Sequence, residues 1–211
     1  MGSIPLFDLF LILFVGMGPV KALLIFIDIT QGVDEEIQRK VVRKAVTTAA
    51  AVAILLLIAG VIFMKLLHFS TGSLTIAGGL ILLILALNIV LSPAEKHDQD
   101  AVVDEDKLLS QAIYPLGIPL ILNPVGIVAL TVLSAETTDL IRLGFIAVLV
   151  LLVAVIDVAI LNSAHRLDKY LTSERILVLE KVLGIMLAAL AVEMVVQGLA
   201  QLGIITLSGG H

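Results

Sequence analysis

The chain has no cysteine, which excludes disulfides, thiolate metal sites and cysteine nucleophiles. Charge is scarce too: Asp, Glu, Lys and Arg make up 15% of the 211 residues, against roughly 25% in ordinary soluble domains. Neither an H-E-x-x-H pair nor a G-x-S-x-G elbow occurs. The four histidines, His68, His97, His165 and His211, fall in loops or at helix ends, so the sequence argues against an intramembrane enzyme. No basic stripe suggests nucleic acid as a partner, and no residue set calls for a metal or another cofactor. Residues 1–5 place no basic residue before the first apolar run, so they do not read as the start of a signal peptide and the first helix is expected to stay in the mature protein.

Apolar residues are what the chain has in excess, at 60% of the total with a mean hydropathy of +1.16. A soluble domain could not hide that much apolar surface. Three stretches, 45–64, 71–94 and 108–135, run 20 residues or more without a charge. Crossing a hydrocarbon core about 30 Å thick takes about 20 helical residues, so each is long enough to span. Apolar runs and polar breaks predict six transmembrane helices, at about 4–29, 44–68, 71–92, 111–134, 141–163 and 176–206.

The basic residues set the orientation. Arg39, Lys40, Arg43 and Lys44 fall in the first connection, Lys96 and Lys107 in the third, and Arg166, Lys169, Arg175 and Lys181 in the fifth. The second and fourth connections hold only Lys65 and Arg142, and Lys21 lies inside the first helix. The positive-inside rule makes the odd connections cytoplasmic. The expectation is a multi-pass protein of the cytoplasmic (inner) membrane with both termini extracytoplasmic and the lipid bilayer as its surroundings. Connection 93–107 carries Glu95, Lys96, His97, Asp98, Asp100, Asp104, Glu105 and Asp106. Such a cluster could bind a cation, but a solvated linker is the preferred reading.

Shifting the sequence by 105 residues aligns Pro19 and Val20 with Pro124 and Val125, and Leu66 with Leu171. Gly79, Leu82, Leu85 and Ala86 then fall on Gly184, Leu187, Leu190 and Ala191. Three helices per half would place the halves in opposite orientations, a recurring plan in secondary transporters. The expected organisation is a first three-helix repeat at 1–92, a charged cytoplasmic linker at 93–110 and a second repeat at 111–211.

Helix one contains Gly16, Gly18 and Pro19 in mid-span, and helix four contains Pro115, Gly117, Pro119, Asn123, Pro124 and Gly126. Proline removes a backbone donor and clashes with the preceding turn, so both helices are expected to break. Asn123 before Pro124 is a good helix start, with the amide as cap and proline at the first helical position. A helix beginning inside the membrane offers N–H groups and the positive dipole end to an anion. Gly18, Pro19, Val20, Lys21, Asn123, Pro124, Val125 and Gly126 are therefore the candidate substrate-binding residues, a cradle for a carboxylate. Ordinary proline kinks are the competing reading.

The motifs G-P-V-K at 18–21, I-A-G-G-L at 76–80 and P-L-G-I-P-L-I-L-N-P-V-G at 115–126 resemble those of the MarC family, also called the SnatA-type neutral amino acid transporters. That family usually has N-P-I-G in helix one and G-P-G-A in helix four. Here the Asn stands in helix four, and Gly18 and Lys21 replace the Asn and Gly of helix one. The resemblance implies movement of small neutral amino acids.

Lys21, Asp28, Asp157 and Glu193 lie where lipid is expected, and a charge near the bilayer centre costs at least about 2.5 kcal/mol on insertion scales. Asp28 is close to the cytoplasmic end. Glu193, Gln197 and Gln201 share a helix face, and under the repeat Glu193 aligns with Asn88. Asp157 and Glu193, with Asn88 as the counterpart of the latter, are candidates for ion or proton coupling; a structural hydrogen bond or ion pair is the alternative for each. Lys21 meets either an anionic substrate group or one of those carboxylates. The reading that unites these features is a secondary transporter of a small-molecule zwitterion. A membrane scaffold packed through Ala77, Gly78 and Gly79 is the alternative from another class. No motif sets an oligomeric state.

Overall fold

The computed structural model describes residues 6–30, 32–91, 104–137, 139–164 and 173–206, without the side chains of Val20, Lys21, Glu180 and residues 173–176. Every described element is helical. Four helices among the described residues are long and apolar enough to cross a membrane, and a bent pair raises the number to five.

The first predicted span is two helices of 11 residues each, α1 (Leu6–Gly16) and α2 (Pro19–Ile29), separated by Met17 and Gly18. Proline at the first position of α2 cannot bond backward into α1, so the chain restarts there. Helix α3 (Glu35–Leu67) follows, 33 residues long. It begins well before the expected residue 44 because Glu35–Arg39 and Glu36–Lys40 pairs, with N–O distances of 2.6 and 3.5 Å, carry it past the apolar run. It ends at His68, whose φ of 55° turns the chain left-handed into α4 (Thr71–Leu91).

The fourth predicted span departs most from a regular helix. Asp104 caps α5 (Glu105–Gln111) by accepting from the N–H groups of Asp106 and Lys107 at 3.1 and 3.2 Å. Beyond it, residues 112–121 form irregular turns, because Tyr114 and Ile118, each followed by proline, adopt extended backbone angles. The regular helix resumes as α6 (Pro124–Glu136), bent by 66° from the segment before it. Helices α7 (Leu140–Asn162) and α8 (Ser173–Gln201) complete the chain, close to their expected limits.

One core cluster draws on α1, α2, α3, the 108–122 segment, α6 and α7. A second joins α4 and α8 around Leu82, Ala86, Leu187, Ala191 and Met194, with Val128 of α6 linking it to the rest. The α4–α8 contact is the most extensive between helices. It is reciprocal. A Cβ on Gly79 would lie 2.8 Å from the Ala191 carbonyl, and one on Gly184 would lie 3.3 Å from the Ala86 carbonyl and 2.7 Å from Val90. Small residues let the two backbones approach, which is how helices associate where lipid removes the hydrophobic incentive.

At the charged end of α3, Lys40 reaches Glu105 of α5 at 3.2 Å, which ties the first connection to the expected 93–110 linker. That hydrogen bond from the lysine to Glu105 holds the Lys40 ammonium above the ordinary lysine range. The acidic cluster at 95–100 lies outside the described residues.

Candidate functional site: the junction of two helix breaks

The breaks after α1 and before α6 meet. Asn123 is 1% exposed and serves both. Its side-chain Oδ1 accepts from the N–H groups of Val125 at 2.9 Å and Gly126 at 3.3 Å, which caps α6. Its Nδ2 donates to the Val15 carbonyl at 2.7 Å, and its backbone N–H donates to the Gly16 carbonyl at 3.0 Å. One asparagine thus satisfies two carbonyls at the end of α1 and two donors at the start of α6. Helix ends left unpaired at this depth would have no water to turn to.

Two glycines make the approach possible. A Cβ on Gly16 would lie 2.5 Å from the Gly126 Cα, and one on Gly126 would run into the Gly16 carbonyl. This contact was not anticipated from the sequence. Its only trace there is a glycine close to each of the two matched prolines.

The two helix starts are not equivalent. Helix α2 begins after Gly18, whose φ and ψ of −81° and 151° suit a cap but which has no side chain to supply one. The two breaks expected to form one cradle are thus capped differently. At α6, Pro124 has no N–H, Asn123 already takes those of Val125 and Gly126, and Ile127 donates to the Asn123 carbonyl at 3.0 Å. The first donors of α6 are spent on the protein itself. Those of α2 have no side-chain cap among the described residues. Lys21 is the third residue of α2, as expected, and its side chain lies outside the described residues.

The candidate coupling residues separate. Asp157 of α7 is fully buried, on the stripe formed by Ile146, Val150, Val153, Ala154 and Leu161, and α7 packs against α1, α2 and α3. Neither of its carboxyl oxygens has a hydrogen-bond partner among the described residues. Glu193 instead lies on the exposed side of α8, where it accepts from Gln197 at 2.9 Å, and Asn88 is exposed on α4. The structure therefore does not bring Glu193 and Asn88 to the junction. Gln201 turns elsewhere again, accepting from the Thr75 hydroxyl at 3.2 Å. No group of acidic residues or histidines among the described residues could hold a metal ion.

A helical bundle with broken apolar spans, a carboxyl buried among them and matched proline starts defines an integral membrane protein of the polytopic class. The chain belongs to the MarC family of integral membrane proteins, whose family model matches residues 4–203. Among curated relatives, a UPF0056 membrane protein of Archaeoglobus fulgidus is 30% identical over 207 residues, covering 92% of each chain. UPF0056 membrane protein MJ1677 of Methanocaldococcus jannaschii is 28% identical over 187 residues, which is 87% of this chain and 90% of that one. The UPF0056 inner membrane protein YhgN of Escherichia coli K12 is 24% identical over 183 residues, 87% of this chain and 90% of the relative. No solved structure matches the chain.

Proposed function

We propose that this MarC-family protein is a secondary transporter of small neutral amino acids or similar small zwitterions. On this reading it has six membrane passes in two inverted halves, 1–92 and 111–211, with the 93–110 linker cytoplasmic and both termini extracytoplasmic. The reciprocal Gly79–Ala191 and Gly184–Ala86 contacts favour the two-halves plan, since each residue pair is carried onto the other by the 105-residue repeat.

The observation that carries the proposal is the junction itself: two helix breaks meet inside the bundle, one start is capped by Asn123 and the other, at Gly18 and Pro19, is not. The uncapped start of α2 suits a substrate carboxylate, with the backbone after Pro19 and residues Val20 and Lys21 at hand. Pro124, Val125 and Gly126 are the fixed wall against which that end is set. Asp157 is the coupling group in this scheme, a buried carboxyl with no donor among the described residues, which a proton or other small cation would complete. Met17, Leu122 and Asn123 are buried around the junction, so on this reading transport requires these elements to part.

Reconstitution into proteoliposomes tests the proposal. Saturable flux of at least one small neutral amino acid from a panel, with acidic and basic amino acids excluded, is the expected result. Folded protein that neither binds nor moves any member of the panel overturns it.

A further inference from the structure

Helix α8 presents a stripe to its surroundings that does not belong in lipid. Val182, Met186, Glu193 and Gln197 recur at intervals of four, seven and four residues and are all exposed. Glu193 stands two residues on from Ala191, about 200° around the helix, so it points away from α4. Its depth follows from the antiparallel pairing of α4 with α8. Gly72 faces Gly198, Gly79 faces Ala191 and Ala86 faces Gly184, which puts Leu82 and Leu187 at the middle level. Glu193 is six residues above that level, about 9 Å along the axis, while half the hydrocarbon core is about 15 Å. The carboxyl is therefore held well inside the apolar layer, on a face otherwise made of Val182, Ile185, Met186 and Val192.

An ionisable group at that depth normally faces protein. Within the chain it has a hydrogen bond from Gln197, one turn away. The pair combines an acceptor and a donor on one face of one helix, so the patch is complementary to itself. A second copy related by a two-fold axis along the membrane normal sets amide against carboxyl twice at the level of residues 193–197, with the apolar residues of the stripe packed against their counterparts about two turns and more along the axis.

We infer that the α8 face bearing Met186, Glu193 and Gln197 is the interface of a homodimer within the membrane. Glu193 and Gln197 complete each other's hydrogen bonding across it, and the junction of helix breaks in each copy is left apart from it.

The absence of cysteine makes the test direct, because a single introduced thiol is an unambiguous reporter. Full-length Met186→Cys, reconstituted at decreasing protein-to-lipid ratio, is oxidised beside Val148→Cys, whose position is exposed on α7. The inference expects a cross-linked dimer from Met186→Cys that persists on dilution, and little from Val148→Cys. Adding Glu193→Leu to Met186→Cys is expected to weaken self-association roughly tenfold, the effect of two polar contacts in a membrane. Single-molecule photobleaching of a labelled terminus gives the same comparison without oxidation. Equal cross-linking at both positions, single-step bleaching at every dilution, or association unchanged or strengthened by Glu193→Leu overturns the interface.

Discussion

Replacing Asn123 by alanine is the sharpest perturbation of the junction, because one side chain serves two helix ends. The substitution removes the acceptor for the Val125 and Gly126 N–H groups and the donor to the Val15 carbonyl. Loss of an N-cap costs about 0.5–2 kcal/mol, and a buried carbonyl left without a donor costs about 1–3 kcal/mol. Their sum, about 1.5–5 kcal/mol, is a large share of the stability of a small protein. Unfolding in mixed micelles measures it. Asn123→Ser separates the two parts, since a serine hydroxyl caps a helix but is too short to reach Val15. It is expected to recover the cap and not the second bond, and so to fall between alanine and wild type. Flux per folded molecule is expected to drop further than abundance does in Asn123→Ala, because the wall of the proposed site loosens. An alanine variant within about 0.5 kcal/mol of wild type, the range of ordinary surface substitutions, would refute the role assigned to this residue.

Gly126→Ala forces a Cβ into the Gly16 carbonyl, backbone against backbone, and is expected to destabilise by the upper end of the usual 1–3 kcal/mol for overpacking, or more; thermal unfolding in detergent checks it. Asp157→Asn keeps the shape of the side chain while removing its titration, so pH-dependent flux is expected to disappear while solute binding survives; an unchanged pH profile would remove Asp157 from the coupling role. For orientation, a reporter at either terminus is expected outside and tags in the connections at Gln38 and Asp100 inside. Cytoplasmic labelling of the C-terminus would reverse the proposed topology.

How much of this was legible in the sequence depends on which force sets each feature. Helices α4 and α7 begin and end within a residue or so of the expected limits, since their ends coincide with the ends of apolar runs. For α3 hydropathy registers only the part in lipid, while charge pairs extend the helix by about two and a half turns beyond it. Prolines marked both breaks, and Asn123 before Pro124 announced its own cap. The other arm of Asn123, reaching Val15 across 108 residues, is tertiary and left no local signal. The same limit applies to the membrane carboxylates. Composition places Asp157 and Glu193 alike inside the apolar layer, yet only packing decides that one is enclosed by the bundle and the other is turned out of it.

Positions matched by the 105-residue shift need not do the same work, and the helix packing and the junction illustrate why. Packing of α4 on α8 uses small residues from both members equally, so Gly79 and Gly184 keep matching roles. A junction of broken helices is different, because a single amide has both a donor and an acceptor and can hold the end of one helix and the start of another. Once Asn123 does both, an asparagine at the matched position 18 would cap α2 as well and close the start that the transport proposal requires to be open. The backbone already stands against that change. A Cβ on Gly18 would collide with the Phe14 carbonyl in the last full turn of α1, so no residue with a side chain fits there in this conformation. Gly18 is therefore held by the approach of α1, and the uncapped start of α2 follows from it. The asymmetry between the breaks is a consequence of how closely the first two helices meet.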